Sequence, residues 1–219
     1  LTSGRPELES SHKAPQRMHA ARVTSIITFL DQLDGIRFQD RVNSEALALY
    51  DPVKIANLAG DDPELAGKLR IAAQEALGRG PYSVCDKTGT APSGDKQDYF
   101  SQAPFWWPNP DTRNGLPYVN RDGVNHPGTP LFSPGSEVFD RSAFQRLCDD
   151  STVLTLAGEA FGEAAYFDHA AALVRSWFLD PATAMNPNLT YAQTRMGHGR
   201  HGGHGGNGRG IVDVRDLVR

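Results

Sequence analysis

Ser142-Ala-Phe-Gln-Arg-Leu-Cys-Asp-Asp-Ser-Thr-Val-Leu-Thr-Leu-Ala-Gly-Glu-Ala-Phe-Gly162 runs directly into Glu163-Ala-Ala-Tyr-Phe-Asp-His-Ala-Ala-Ala-Leu-Val-Arg-Ser-Trp-Phe-Leu179. Phe144, Leu147, Val153, Leu154, Leu156 and Ala157 recur at three- and four-residue steps, and so do Tyr166, Ala170, Leu173, Val174 and Trp177. That period marks amphipathic helices. The spacing therefore predicts two antiparallel helices joined by a tight turn at Gly162, the second closed by Asp180-Pro181. Upstream, Val23, Ile26, Ile27, Leu30 and Leu33 predict a helix ended by Gly35. Asp62-Pro63-Glu64 opens another, with proline in the first turn and acids at the positive end of the dipole. It carries Leu65, Leu69, Ala72, Ala73, Ala76 and Leu77 and stops near Gly78 and Gly80. Residues 1–20 read as a loose polar arm, and Ile211–Arg219 as the opening of one more helix. The expected class is all-α, made of helical hairpins with long functional loops on one side.

The loops are long. Gly80–Gly135 holds nine prolines, from Pro81 to Pro134, with frequent Gly and Asn. That density excludes regular helix or central strand. The same stretch carries Tyr82, Tyr99, Phe100, Phe105, Trp106, Trp107 and Tyr118, whereas a disordered linker is poor in aromatics. An irregular segment of this length in a compact domain usually has a job. It is expected to be an ordered loop packed across the helical scaffold, on the substrate side. A second loop, 186–210, pairs Asn186-Pro-Asn-Leu-Thr-Tyr-Ala-Gln193 with a His/Gly-rich run.

Composition narrows the function. The chain has 219 residues, 39% hydrophobic, with a net charge of −4. A packed core is expected, and no basic block calls for nucleic acid or an anionic membrane. No apolar run approaches the roughly 20 residues of a membrane helix. Leu1–Ala20 is no secretory signal, although a mature chain would look the same. Cys85 and Cys148 fit either one disulfide or two buried thiols.

Three strings in order, Gly80-Pro-Tyr-Ser-Val84, Ser93-Gly-Asp-Lys-Gln-Asp-Tyr99 and Ala103-Pro-Phe-Trp-Trp-Pro108, precede Gly115-Leu-Pro-Tyr118 and Arg121-Asp-Gly123. Later come Trp177-Phe-Leu-Asp-Pro181, Met185-Asn-Pro-Asn-Leu-Thr-Tyr-Ala-Gln193 and Gly208-Arg-Gly-Ile-Val-Asp213. Together, from about Leu49 to Arg219, they resemble the alginate-lyase-type domain of polysaccharide lyases, closest to those acting on polymannuronate and glucuronan. The resemblance implies an incomplete (α/α) toroid over 21–219 and a secreted or periplasmic enzyme. It also implies β-elimination on 1,4-linked uronic-acid polymers, leaving 4,5-unsaturated ends without a cofactor. Family members continue well beyond the position of Arg219, with an Asn-Asn-His-type string and usually a Tyr there. The general base and acid are therefore expected beyond this chain, and the missing C-terminal part of the same domain is an expected partner. The run His198-Gly-Arg-His-Gly-Gly-His204 is longer and richer in His than the family pattern.

β-Elimination on a uronate needs the carboxylate neutralised, a base for the C5 proton and an acid for the departing O4. Tyr191 and Gln193, two apart after Pro187, face one cleft if the backbone is extended, and are the expected catalytic contributors. Asn188 joins them as substrate ligand; Asn188-Leu-Thr190 is also a glycosylation sequon. Adjacent in sequence, Trp106 and Trp107 point opposite ways, so either one stacks on a sugar while the other anchors the loop, or both are buried anchors. Tyr99 and Tyr118 are weaker platforms. Arg121 and Arg209 suit carboxylate pairing, or salt bridges to Asp122 and Asp213. His198 and His201 are expected lid contacts to an acidic substrate. The alternatives are a non-catalytic acidic-glycan-binding fragment, or a metal site built from His198, His201 and His204.

Overall fold

The computed structural model describes residues 51–199, 205–206 and 213–214. The expected N-terminal arm and the helix before Gly35 lie outside them, as do His201, His204 and Arg209. Of the segment opening at Ile211, Asp213 and Val214 are described, in a turn. The chain divides into two compact units, Leu1–Gly67 with Glu159–Phe161, and Lys68–Gly158 with Gly162–Arg219.

In the first unit, Asp51 caps α1 (Pro52–Ala56) by accepting from the Val53 and Lys54 amides at 3.0 and 3.3 Å. A short α2 (Leu58–Asp61) leads to α3 (Pro63–Leu77), whose residues from Lys68 onward belong to the second unit. Asp62 Oδ1 accepts the Leu65 amide at 2.9 Å, so the expected Asp-Pro-Glu start is a capped helix N-terminus.

The second unit is built on the predicted hairpin, α4 (Arg141–Phe161) and α5 (Ala164–Phe178). Gly162 caps α4 in the left-handed conformation at φ 67°, which glycine adopts at no steric cost. The helices are antiparallel: Phe144, early in α4, meets Trp177, late in α5, with ring centroids 5.5 Å apart. At the other end a Cβ on Gly158 would fall 2.7 Å from the Phe167 ring, so only glycine allows that approach. Phe144, Leu147, Leu154, Tyr166, Leu173 and Trp177 are all buried and form the centre of the core. Burying such side chains contributes about 1.5–3 kcal/mol each.

The Pro-rich stretch is not free of strands. β1 (Phe100–Gln102) pairs in parallel with β4 (Tyr191–Arg195), which pairs antiparallel with β5 (Gly205–Gly206). β2 (Trp106–Trp107) pairs antiparallel with β3 (Val119–Asn120). The all-α expectation is thus corrected to a helix-rich fold carrying short strands. The strands are short enough to fit between the prolines, and β1 lies at the sheet edge. Among the described residues, no helix is long and apolar enough to cross a membrane.

Asp140 joins the hairpin to the sheet. Its amide donates to Phe100 O at 2.9 Å and its Oδ2 accepts the Phe100 amide at 2.7 Å. Lys87 Nζ lies 3.1 Å from the same oxygen, with both side chains almost wholly buried.

Candidate functional site

β2 carries the two tryptophans, and the strand alternation sends them to different neighbours. Trp106 has the His198 ring 4.7 Å away, edge-on, and the Arg195 guanidinium 5.0 Å from its centroid. Trp107 has the His126 ring at 5.0 Å and the Arg121 guanidinium at 5.1 Å. Each indole thus holds one cation and one imidazole, an arrangement favoured by the ring quadrupole. Both tryptophans are half-buried, so neither is a wholly buried anchor. Trp107 is the more fixed, because its indole N–H donates to Val124 O at 2.9 Å.

Tyr118 binds the two clusters together. Its ring stacks on His126 at 6.4 Å, and its carbonyl oxygen lies 2.7 Å from His198 Nε2. A carbonyl only accepts, so Nε2 carries the proton there and Nδ1 is left as the second functional nitrogen. Burial pushes the Tyr118 phenol above its ordinary pKa.

β4 supplies the next wall. Tyr191, Gln193 and Arg195 are half-buried, while Ala192 and Thr194 between them are buried. The ladder pairs Phe100 with Tyr191 and Gln102 with Thr194, so β4 advances three residues while β1 advances two. The extra residue makes a bulge, and Gln193 takes it up at φ 52°. Its amide leaves the ladder and donates to Ser101 Oγ at 2.8 Å.

The Gln193 side chain is not turned to a wet cleft. Its Nε2 donates to Asp213 Oδ1 at 2.6 Å. The same buried carboxylate accepts from Ser101 Oγ at 2.5 Å and Tyr99 Oη at 3.4 Å, and Arg141 Nε lies 3.4 Å away. Gln193, expected to hold a substrate carboxylate, is thus engaged by a buried one in this structure. Tyr99, expected as a weaker platform, is likewise engaged: it is 1% exposed, packs edge-on against Phe144 at 6.1 Å and faces no cleft. Burial and the Asp213 charge hold its phenol well above the usual pKa.

Asn188 is exposed but engaged, its amide 3.4 Å from Asp98 Oδ1, which also takes the Asn186 amide at 2.9 Å. Although burial opposes it, hydrogen bonds from Ser93, Asn186 and Asn188 hold the Asp98 carboxyl below its ordinary pKa. Arg121 stacks on Trp107 and is exposed. Cys85 and Cys148 are both thiols, so the disulfide reading is set aside.

His126 was not expected at the site. Arg195 continues the two-residue step of Tyr191 and Gln193, so the strand period points to it. Its buried Nε has no hydrogen-bond partner among the described residues. Asp213 had no local signal, since its partners lie 20 to 114 residues away in sequence.

The family model for alginate lyase matches residues 83–219. The crystal structure of an alginate lyase from Bacteroides ovatus is similar at 36% identity and a TM-score of 0.64, covering 80% of this chain and 42% of that one. The chain thus spans less than half the length of that relative. No curated protein matches it. The motif strings, the match over most of the chain and the shared fold lead to one statement: this chain belongs to the alginate lyase family.

Proposed function

We propose that the protein is a polysaccharide lyase acting on 1,4-linked uronans, polymannuronate or glucuronan, by β-elimination. The observation that carries this reading is the pair of tryptophans, each holding a guanidinium and an imidazole. Aromatic faces suit the apolar side of a sugar ring, and guanidinium forks suit its carboxylate. Arg195 is the favoured carboxylate partner, because stacking on Trp106 positions it while its Nε has no acceptor among the described residues. A cation at that carboxylate stabilises the charge that develops as the C5 proton leaves. Tyr191, at the start of the same strand, is proposed beside the scissile bond, with Asn188 at the rim.

Trp106, Tyr118, Arg121 and His198 complete the proposed substrate surface, with His201 and Arg209 as proposed contacts from the neighbouring loop. The complete enzyme is proposed to form an (α/α) toroid and to act outside the cytoplasm, where such polymers occur. The test is spectroscopic. Incubation of the complete enzyme with polymannuronate or glucuronan should raise the ultraviolet absorbance of unsaturated uronates, and neutral glucans should not. Release of sugars from a neutral glucan, with none from uronans, would overturn the reading.

A further inference from the structure

On α4, Arg146 and Asp150 stand four residues apart, the usual spacing for an ion pair on one helix face. Asp150 is already taken. Arg79 grips it with Nε at 3.0 Å and a terminal nitrogen at 2.6 Å, and Tyr82 Oη donates at 2.7 Å. Burial and the neighbouring Asp150 push the Tyr82 phenol up to about 12, so this hydroxyl stays a donor. The Arg146 guanidinium instead lies over the Phe132 ring, 4.5 Å from its centroid. Among the described residues its N–H groups meet no hydrogen-bond acceptor.

Phe132 is itself unusual. It is 46% exposed and held at φ 59°, the left-handed region that strains an L-residue. Ser142 Oγ fixes that conformation by accepting the Phe132 amide at 3.0 Å. An exposed aromatic kept in a strained backbone points to function. Both residues line an open groove of about 540 Å³, with Tyr82 and Glu137 on its other walls. None of its lining residues belongs to the tryptophan clusters.

We infer that this groove is a second binding site for an acidic polysaccharide, with Arg146 taking a uronate carboxylate and Phe132 supporting the guanidinium and an adjoining ring. Glu137, exposed in the groove, accepts sugar hydroxyls, which favours a hydroxylated acidic sugar over a simple inorganic anion. The inference rests on the uronan-binding reading given above.

The test measures retardation of the full chain in native gels containing polymannuronate or glucuronan, with a neutral glucan as control. Arg146→Ala should weaken uronan retention about tenfold, as loss of a charge-assisted hydrogen bond does. Phe132→Gly removes the ring but accepts φ 59°, so it should weaken retention while the melting temperature holds or rises. A purely structural Phe132 predicts the reverse, a lower melting temperature with unchanged retention, and that result overturns the inference. So does wild-type retention in both variants while Trp106→Ala loses it. If the wild-type chain is not retained by uronans, the uronan reading itself fails and the groove proposal falls with it.

Discussion

Gln193 occupies the left-handed region at φ 52° and gives its side-chain amide to a buried carboxylate. Replacing it with alanine keeps the backbone strain and deprives Asp213 of a 2.6 Å donor. We expect Gln193→Ala to destabilise the fold by roughly 1–3 kcal/mol, read as a lower urea midpoint. Gln193→Gly loses the same bond but relieves about 1 kcal/mol of strain, so it should be the more stable of the two. That order reverses the usual strand preference for alanine over glycine. An unchanged midpoint with lost turnover would return Gln193 to the substrate. At Arg195 the expectation is different: Arg195→Ala should weaken uronan binding about tenfold, with Arg195→Lys only partly restoring it, as titration by calorimetry would show. Equal affinity in all three proteins would remove Arg195 from the site. The sequence announced Tyr191 and Gln193 through their spacing, and one further step reaches Arg195. It could not announce that the Gln193 amide turns to Asp213, because that depends on a one-residue bulge and a partner 20 residues on.

The hairpin of α4 and α5 was legible to within a residue at each end, since apolar period and a terminal glycine are local signals. Its tightest contact tests it. Gly158→Ala places a methyl 2.7 Å from the Phe167 ring, and the expected cost is about 1–3 kcal/mol in a thermal or urea melt. Trimming the ring with Phe167→Leu in the same chain should recover part of the loss. Full stability in Gly158→Ala alone would mean that the helices do not approach as described. The strands were not legible in the same way. β1 has three residues and meets β4 some 90 positions later, in a stretch whose prolines argue against any strand. Such short strands are set by tertiary partners, here the Asp140 side chain and the Ser101 hydroxyl, more than by propensity.

For the molecule as a whole, the Asp140–Lys87 pair makes stability depend on pH. Burial pushes the Asp140 carboxyl up to about 7, against the lowering effect of Lys87, and its Oδ1 has no partner among the described residues. An unfolded aspartate titrates near 3.9, so between about pH 4 and 7 the native state binds the extra proton. Its stabilising contribution is complete at the acid end of that window and is lost as pH rises through 7. Urea midpoints should show this component, and Asp140→Asn should flatten it; an unaltered profile in that variant would assign the dependence elsewhere. Mass spectrometry of the products formed from polymannuronate or glucuronan separates elimination from hydrolysis and from binding alone. Elimination leaves new non-reducing ends lighter by one water than hydrolysis does, each carrying a 4,5-unsaturated uronate, and these are the expected products. Ends of the full hydrolysed mass, or a polymer that is bound and left uncut, would overturn the proposed lyase activity.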